Sequence, residues 1–205
     1  MILASSSPRR RELLTRLGVP YQPFSPDVDE SPLPGETPLQ TQHRITLEKA
    51  RAAPAAPGQI VIAVDTTVLL DGDMLNKPAD AAEAWAMLRR LRGRTHEVQS
   101  CVVIKQDERE VMEIVSSLVT MRPYSDDEIA AYIATGDPFD KAGSYAVQHA
   151  VFQPVASIQG CPLNVIGLPL CRLRAHLRDW PEPSPVCAGF WAGKCEGKER
   201  LEIGE

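Results

Sequence analysis

A mixed-sheet α/β or α+β fold is what this 205-residue sequence predicts, and three features carry that expectation. Strand and helix patterns are interleaved without the regular βαβ alternation of a doubly wound parallel sheet. Residues 59–70 form a β-branched, nearly all-apolar run, the pattern of a strand buried on both faces. Residues 95–104 and 110–121 alternate well enough, across a turn near Asp107, to form two antiparallel strands of a long ribbon.

The elements follow in order along the chain. Residues 1–4 form a short apolar strand, and a Ser-rich turn leads into a helix over 8–17. Ser6 or Ser7 is placed to cap it, Pro8 sits in the first turn where its missing N–H costs nothing, and Gly18 stops it. The Pro-rich, acidic stretch 23–36 reads as loop. Thr37 with Gln40 offers a capping box for a helix reaching about residue 53, which Pro54 and Pro57 end. After the strand at 59–70, Asp71-Gly72 is a hairpin turn leading to Met74 and Leu75. Asp80 with Glu83 makes another capping box, for a helix ending at Gly93. Ser125 with Glu128 caps a helix that Gly136 stops, a Gly/Pro/Asp loop at 137–143 leads into short elements, and a last helix covers 168–177. Three prolines between 181 and 185 open a Pro/Gly-rich tail, so the chain divides into one domain at 1–180 and a tail at 181–205.

With 43% hydrophobic and 24% charged residues, the composition is globular, which excludes a disordered, collagenous or coiled-coil chain. The 22 Lys+Arg against 27 Asp+Glu leave a net charge of -5, so the overall balance gives no nucleic-acid or membrane-surface partner. An anionic ligand then has to be met by a local basic cluster. No window approaches the roughly 20 apolar residues of a membrane span, and Pro8 with three arginines comes too early for a signal peptide. The expected location is the cytoplasm. Cys101, Cys161, Cys171, Cys187 and Cys195 are an odd set without a CxxC pair and are expected as reduced thiols.

Five groups of residues carry possible chemistry. Ser5-Ser6-Ser7-Pro8-Arg9-Arg10-Arg11 lies between a strand and a helix start, where free N–H groups, hydroxyls and guanidinium forks make either a phosphate cradle or a plain cap with a solvated basic turn. Its arginines advance by about 100° each, so one or two of them face any one ligand. Asp65 ends the apolar run 60–64, where a carboxylate has to be paired, hydrogen-bonded or metal-bound, or else caps a turn at the strand's end. Asp27, Asp29 and Glu30 are loop acids open to metal binding or to solvation alone. Lys49 and Lys77 are single lysines, the second braced by Pro78, and Gln148 follows the 137–145 loop with an amide suited to a nucleobase edge or to a backbone bond. The histidines make no metal-spaced pair, and neither GxSxG nor HExxH occurs.

Taken together, ILASSSPRRRELL at 2–14, DVDES at 27–31, EKA at 48–50, DTTVLLDG at 65–72 and NKP at 76–78 resemble the Maf family of nucleoside triphosphate pyrophosphatases. LRGRTHEV at 91–98, PFDKAGSYAVQ at 138–148 and NVIGLPL at 164–170 continue the resemblance over about residues 1–177. It implies an elongated mixed sheet with flanking helices, two lobes around a central cleft, the Maf/ITPase-like arrangement. It implies a metal-dependent hydrolase of the α–β phosphoanhydride, with Mg2+ or Mn2+ as cofactor and a nucleoside triphosphate as substrate.

By the same resemblance, Asp65 is the catalytic acid/base or metal-linked residue, Glu30 binds metal or water, and Lys49 and Lys77 meet phosphate charge. Ser6 and Arg9 bind phosphate, while Thr66 and Gln148 take the specificity positions. Gln148 after AGSYAV is similar to the dTTP/UTP-type branch. Asn76 and His149 stand where the family commonly has Gly, and His149 is expected to narrow the base pocket or add a donor. A homodimer through the ribbon is expected. A nucleotidyltransferase and a division regulator without turnover are the competing readings.

Overall fold

The computed structural model describes residues 1–177 with Pro181 and Val186, so most of the expected tail 181–205, and with it Cys187 and Cys195, lies outside the described residues. In chain order the strands are β1 (Ile2–Ala4), β2 (Gln22–Phe24), β3 (Ile60–Leu70), β4 (Asp73–Leu75), β5 (Thr95–Gln106), β6 (Arg109–Met121) and β7 (Val155–Gln159). The helices are α1 (Pro8–Leu17), α2 (Pro38–Arg51), α3 (Ala81–Leu91), α4 (Asp126–Ala134), α5 (Pro162–Ile166) and α6 (Leu170–His176). They flank one mixed sheet ordered β2-β1-β3-β5-β6-β7, with β4 on β3. The pairs β2–β1 and β1–β3 are parallel, and the other pairs are antiparallel.

β3 organises the molecule because it runs through successive cores. Ile62 and Val64 pack with Leu13 and Leu14 of α1 and Leu173 of α6, while Val61 and Ala63 point the other way, to Ala50 of α2. Beyond Thr66 the strand enters another core, where Val68 and Leu70 meet Leu88 of α3 and Ile129 and Tyr132 of α4. Each buried Val, Leu or Ile among them, removed from water, contributes about 1.5–3 kcal/mol. Asp65 and Thr66 occupy the change-over between these cores, which is where a polar pair is tolerated in the middle of an apolar strand. Asp65 is therefore inside β3, paired with Cys101 of β5, and caps no strand end.

Local signals in the sequence hold where the backbone bonds are local. Thr37 with Gln40 and Ser125 with Glu128 form complete capping boxes. At α3, Asp80 accepts the Glu83 N–H, but Glu83 reaches back to the Ala79 N–H, one residue beyond a true box. Ser7 is the N-cap of α1 without a side-chain cap bond; its N–H is instead donated to Ser5 Oγ. β2 replaces part of the stretch read as loop, and β7 adds a strand that no pattern announces. Both lie at the ends of the sheet order, where one side goes unpaired, Pro23 is tolerated and a continuous apolar run is not needed. Cys101 is a buried free thiol.

Candidate active site

β1 ends at Ala4 and α1 begins at Pro8, so the three serines between them turn along one side of a cleft of about 360 Å³. Asp65 and Thr66 form part of its lining, α2 contributes Lys49, and the segment after α4 contributes Asp140, Lys141 and Tyr145 to Gln148. The residues to which the family resemblance assigns roles all line this space: Ser6, Arg9, Glu30, Lys49, Asp65, Thr66, Lys77 and Gln148. Asp27 and Asp29 do not. Asp29 accepts the Ser31 N–H at 2.9 Å, a bond that holds its carboxyl below the usual carboxylate range.

The arginines divide as helical geometry requires. Arg9 donates to Asp140 Oδ2 at 2.7 Å and to the Asp140 carbonyl at 3.1 Å. Arg10 is consumed by the protein: Nε donates to the Gly167 carbonyl at 2.8 Å, Nη1 to Ser5 Oγ at 2.9 Å and Nη2 to Thr66 Oγ1 at 3.0 Å. Desolvation lowers Arg10 to about 10, against an opposing pull from Asp65, and leaves it cationic at neutral pH. Arg11 turns away to the Ser5 carbonyl and Ser25. Thr66 also pairs with Ser100 Oγ at 2.9 Å, so its hydroxyl ties Arg10 to β5.

Two lysines are held by carboxylates. Lys49 Nζ lies 2.7 Å from Glu30 Oε1 and 3.7 Å from Asp65 Oδ1. Lys141, buried, donates to Asp140 Oδ1 at 2.6 Å, to Asp137 Oδ1 at 2.9 Å and to the Asp137 carbonyl at 2.5 Å. Lys77 is exposed at the cleft, and neither it nor the Gln148 amide has a protein partner among the described residues. The turn behind Lys141 needs glycine: Gly143 has φ +69, its N–H reaches the Asn76 carbonyl, and an added Cβ would stand 3.1 Å from Val68 Cγ1.

A divalent cation fits part of this donor set. No group of three or more His, Cys, Asp or Glu side chains suited to a metal occurs among the described residues. Asp65 and Glu30 nevertheless converge on one ammonium, and Mg2+ is commonly held by one or two carboxylates together with substrate phosphates.

A family model for Maf-like proteins matches residues 1–180. The chain belongs to the Maf family. A dTTP/UTP pyrophosphatase of Symbiobacterium thermophilum is 44% identical over 89% of this chain and 95% of its own length. The protein of the same name from Geobacter sp. strain M21 is 44% identical over 87% of this chain and 94% of its own. Among solved structures, a nucleoside-triphosphatase / dITP/XTP pyrophosphatase from Mycobacterium abscessus covers 60% of this chain and 74% of that one at 18% identity, with a TM-score of 0.38, too weak to carry an argument.

Within this Maf chain the two unusual positions are placed as follows. Asn76 contributes its backbone carbonyl to the Gly143 N–H, a bond any residue makes. His149 does not line the cleft: its ring packs edge-on against Tyr132 at 4.8 Å, and its Nδ1 accepts the Phe152 N–H at 2.9 Å. The expectation that it narrows the base pocket or adds a donor there is therefore corrected. Sequence reasoning missed Arg10, Asp140 and Lys141 as individuals. The nearest signal for Lys141 is its place directly after Asp140 and four residues after Asp137, a density of charge that a simple turn does not need. No helix among the described residues is long and apolar enough to cross a membrane.

Proposed function

We propose that this Maf protein hydrolyses dTTP and UTP to the nucleoside monophosphate and pyrophosphate. The observation that carries the reading is the gathering of Arg9, Arg10, Lys49, Lys77 and Lys141 around one cleft that also holds Asp65, in a protein of net charge -5. A triphosphate brings about four negative charges, and such a cluster answers them locally. The names of relatives at 44% identity support the substrate class. The unpartnered Gln148 amide offers a donor and an acceptor to the imide edge shared by thymine and uracil.

In the reaction a water oxygen bonds to the α-phosphorus while the bond from that phosphorus to the α–β bridging oxygen breaks. Pyrophosphate leaves with the bonding pair, and the water proton passes to the Asp65 carboxylate. Lys49, already 3.7 Å from Asp65, holds that carboxylate in place and faces the phosphates, with Lys77 and Arg9 meeting the leaving group. Asp65 and Glu30 would hold Mg2+ or Mn2+, which when bound supplies countercharge and eases deprotonation of water. A homodimer belongs to the same proposal: Met112, Ile114 and Leu118 stand exposed along β6, and sedimentation at rising concentration tests their pairing.

Pyrophosphate release from dTTP, UTP, CTP, GTP and 7-methyl-GTP, with Mg2+ or Mn2+ and an EDTA control, tests the reaction. Release is expected from dTTP and UTP, lost with EDTA, and reduced about 10²- to 10⁴-fold in Asp65→Asn at unchanged unfolding midpoint. Full turnover by Asp65→Asn would remove the assigned role. Binding without release from any triphosphate would overturn hydrolysis, and release only with an added acceptor would make the protein a transferase.

A further inference from the structure

Tyr132 lies on α4, is 2% exposed and does not line the cleft, yet its one hydroxyl joins two segments that do. It donates to Asp137 Oδ2 at 2.6 Å and accepts the Ala146 N–H at 3.1 Å. The other Asp137 oxygen accepts Lys141, Lys141 donates to Asp140, and Asp140 accepts Arg9. One direction from the hydroxyl thus leads to the cationic groups of the cleft, and the other to the backbone two residues before Gln148.

We propose that Tyr132 is a positioning residue for both ends of the bound nucleotide, setting Lys141 for the polyphosphate and the Ala146–Gln148 segment for the base. This rests on the reading of the cleft as a nucleoside triphosphate site. The hydroxyl has one proton and spends it on Asp137, so it is free to accept from Ala146, and phenylalanine replaces neither bond. The ring is held separately, stacked on Phe152 at 4.4 Å and 17° and edge-on to His149, and the His149–Phe152 bond does not involve the hydroxyl. Burial, and then the bond to Asp137, push the Tyr132 hydroxyl well above its ordinary pKa, which keeps it a donor.

The test compares the wild-type protein, Tyr132→Phe and Asp137→Asn by calorimetric binding of pyrophosphate, dTTP and GTP in EDTA, by kcat and KM for dTTP, and by thermal unfolding. Tyr132→Phe is expected to weaken pyrophosphate about tenfold or more and to pull the dTTP-over-GTP affinity ratio toward one, with kcat falling more than KM rises. Asp137→Asn keeps an acceptor for the Tyr132 hydroxyl, so it weakens pyrophosphate but leaves the base ratio intact. A Tyr132→Phe protein with a lowered unfolding midpoint, but with pyrophosphate affinity and base ratio within about twofold of wild type, overturns the proposal and makes the hydroxyl merely structural. Loss at one end only overturns the two-ended role. If wild type binds dTTP selectively without turnover, the hydrolase reading fails and the Tyr132 proposal is judged on the binding ratios alone; no nucleotide binding by wild type, either in EDTA or with Mg2+ present, overturns both.

Discussion

Lys49 and Lys141 belong to different walls of the same cleft and are almost equally covered, with side chains 12% and 9% exposed, yet they are held in opposite ways. The closest partner of Lys49 is Glu30, 62% exposed and supplied by a segment without regular structure, and Asp65 stands further off at 3.7 Å. Lys141 is saturated by acceptors from its own turn, and Asp137 is bonded onward to Tyr132. An ammonium with loose, water-facing partners can exchange them for a substrate at little cost, whereas one whose donors are all used acts as a fixed charge. The first arrangement suits a group that works on the reacting centre; the second suits a frame.

Replacing each lysine by methionine is the largest test of that contrast. Lys141→Met leaves Asp137 and Asp140 without their shared cation and is expected to cost about 2–3 kcal/mol in urea unfolding, less than a fully buried pair would because Asp140 is half exposed and keeps Arg9. Lys49→Met is expected to change stability by less than about 1 kcal/mol, because its closest partner Glu30 is largely exposed and returns to water, while lowering turnover about 100-fold or more. The reverse pattern, a stability loss at Lys49 and none at Lys141, breaks the comparison.

Acid provides a second test of the saturated wall. His96 lies beneath it, buried and bonded through Nε2 to the Tyr145 hydroxyl at 2.7 Å, and desolvation lowers it to about 4. The unfolded chain takes up this proton near pH 6.5 and the folded chain only near 4, so stability is complete above the first value and falls as pH drops through the window. The slope is expected to approach about 1.4 kcal/mol per pH unit, and His96→Gln should flatten it in unfolding titrations from pH 7 to 4. An unchanged slope in the variant would remove His96 from that wall's support. Gly143→Ala is expected to cost about 1–2 kcal/mol, since φ is +69 and the new Cβ meets Val68; calorimetric melting measures it, and a neutral result would mean that the Lys141 turn shifts freely.

Ser125 with Glu128 and Thr37 with Gln40 were legible because a cap is a bond between residues three apart, whatever the rest of the chain does. β3 and the β5–β6 ribbon were legible for a related reason, the apolar period being written along each strand. β2 and β7 were not, because an edge strand is made by the neighbour it pairs with and its own residues stay half exposed. The candidate site divides similarly. Asp65 announced itself as a carboxylate within an apolar run, and Lys49, Lys77, Arg9 and Gln148 came through the family motifs.

Arg10, Lys141 and Tyr132 lay in the same quoted or capped stretches without showing what they do. Whether an arginine faces a ligand or is spent on Gly167, Ser5 and Thr66 depends on groups up to 157 positions away. Periodicity and composition along the chain thus set the helices, the central strands and how much charge the molecule carries, while the edge strands β2 and β7 are set by the neighbours they pair with. Tertiary packing alone decided which charges meet in the cleft and which of them are already satisfied, because Coulombic and hydrogen-bond energies depend on distances in space that no local pattern encodes.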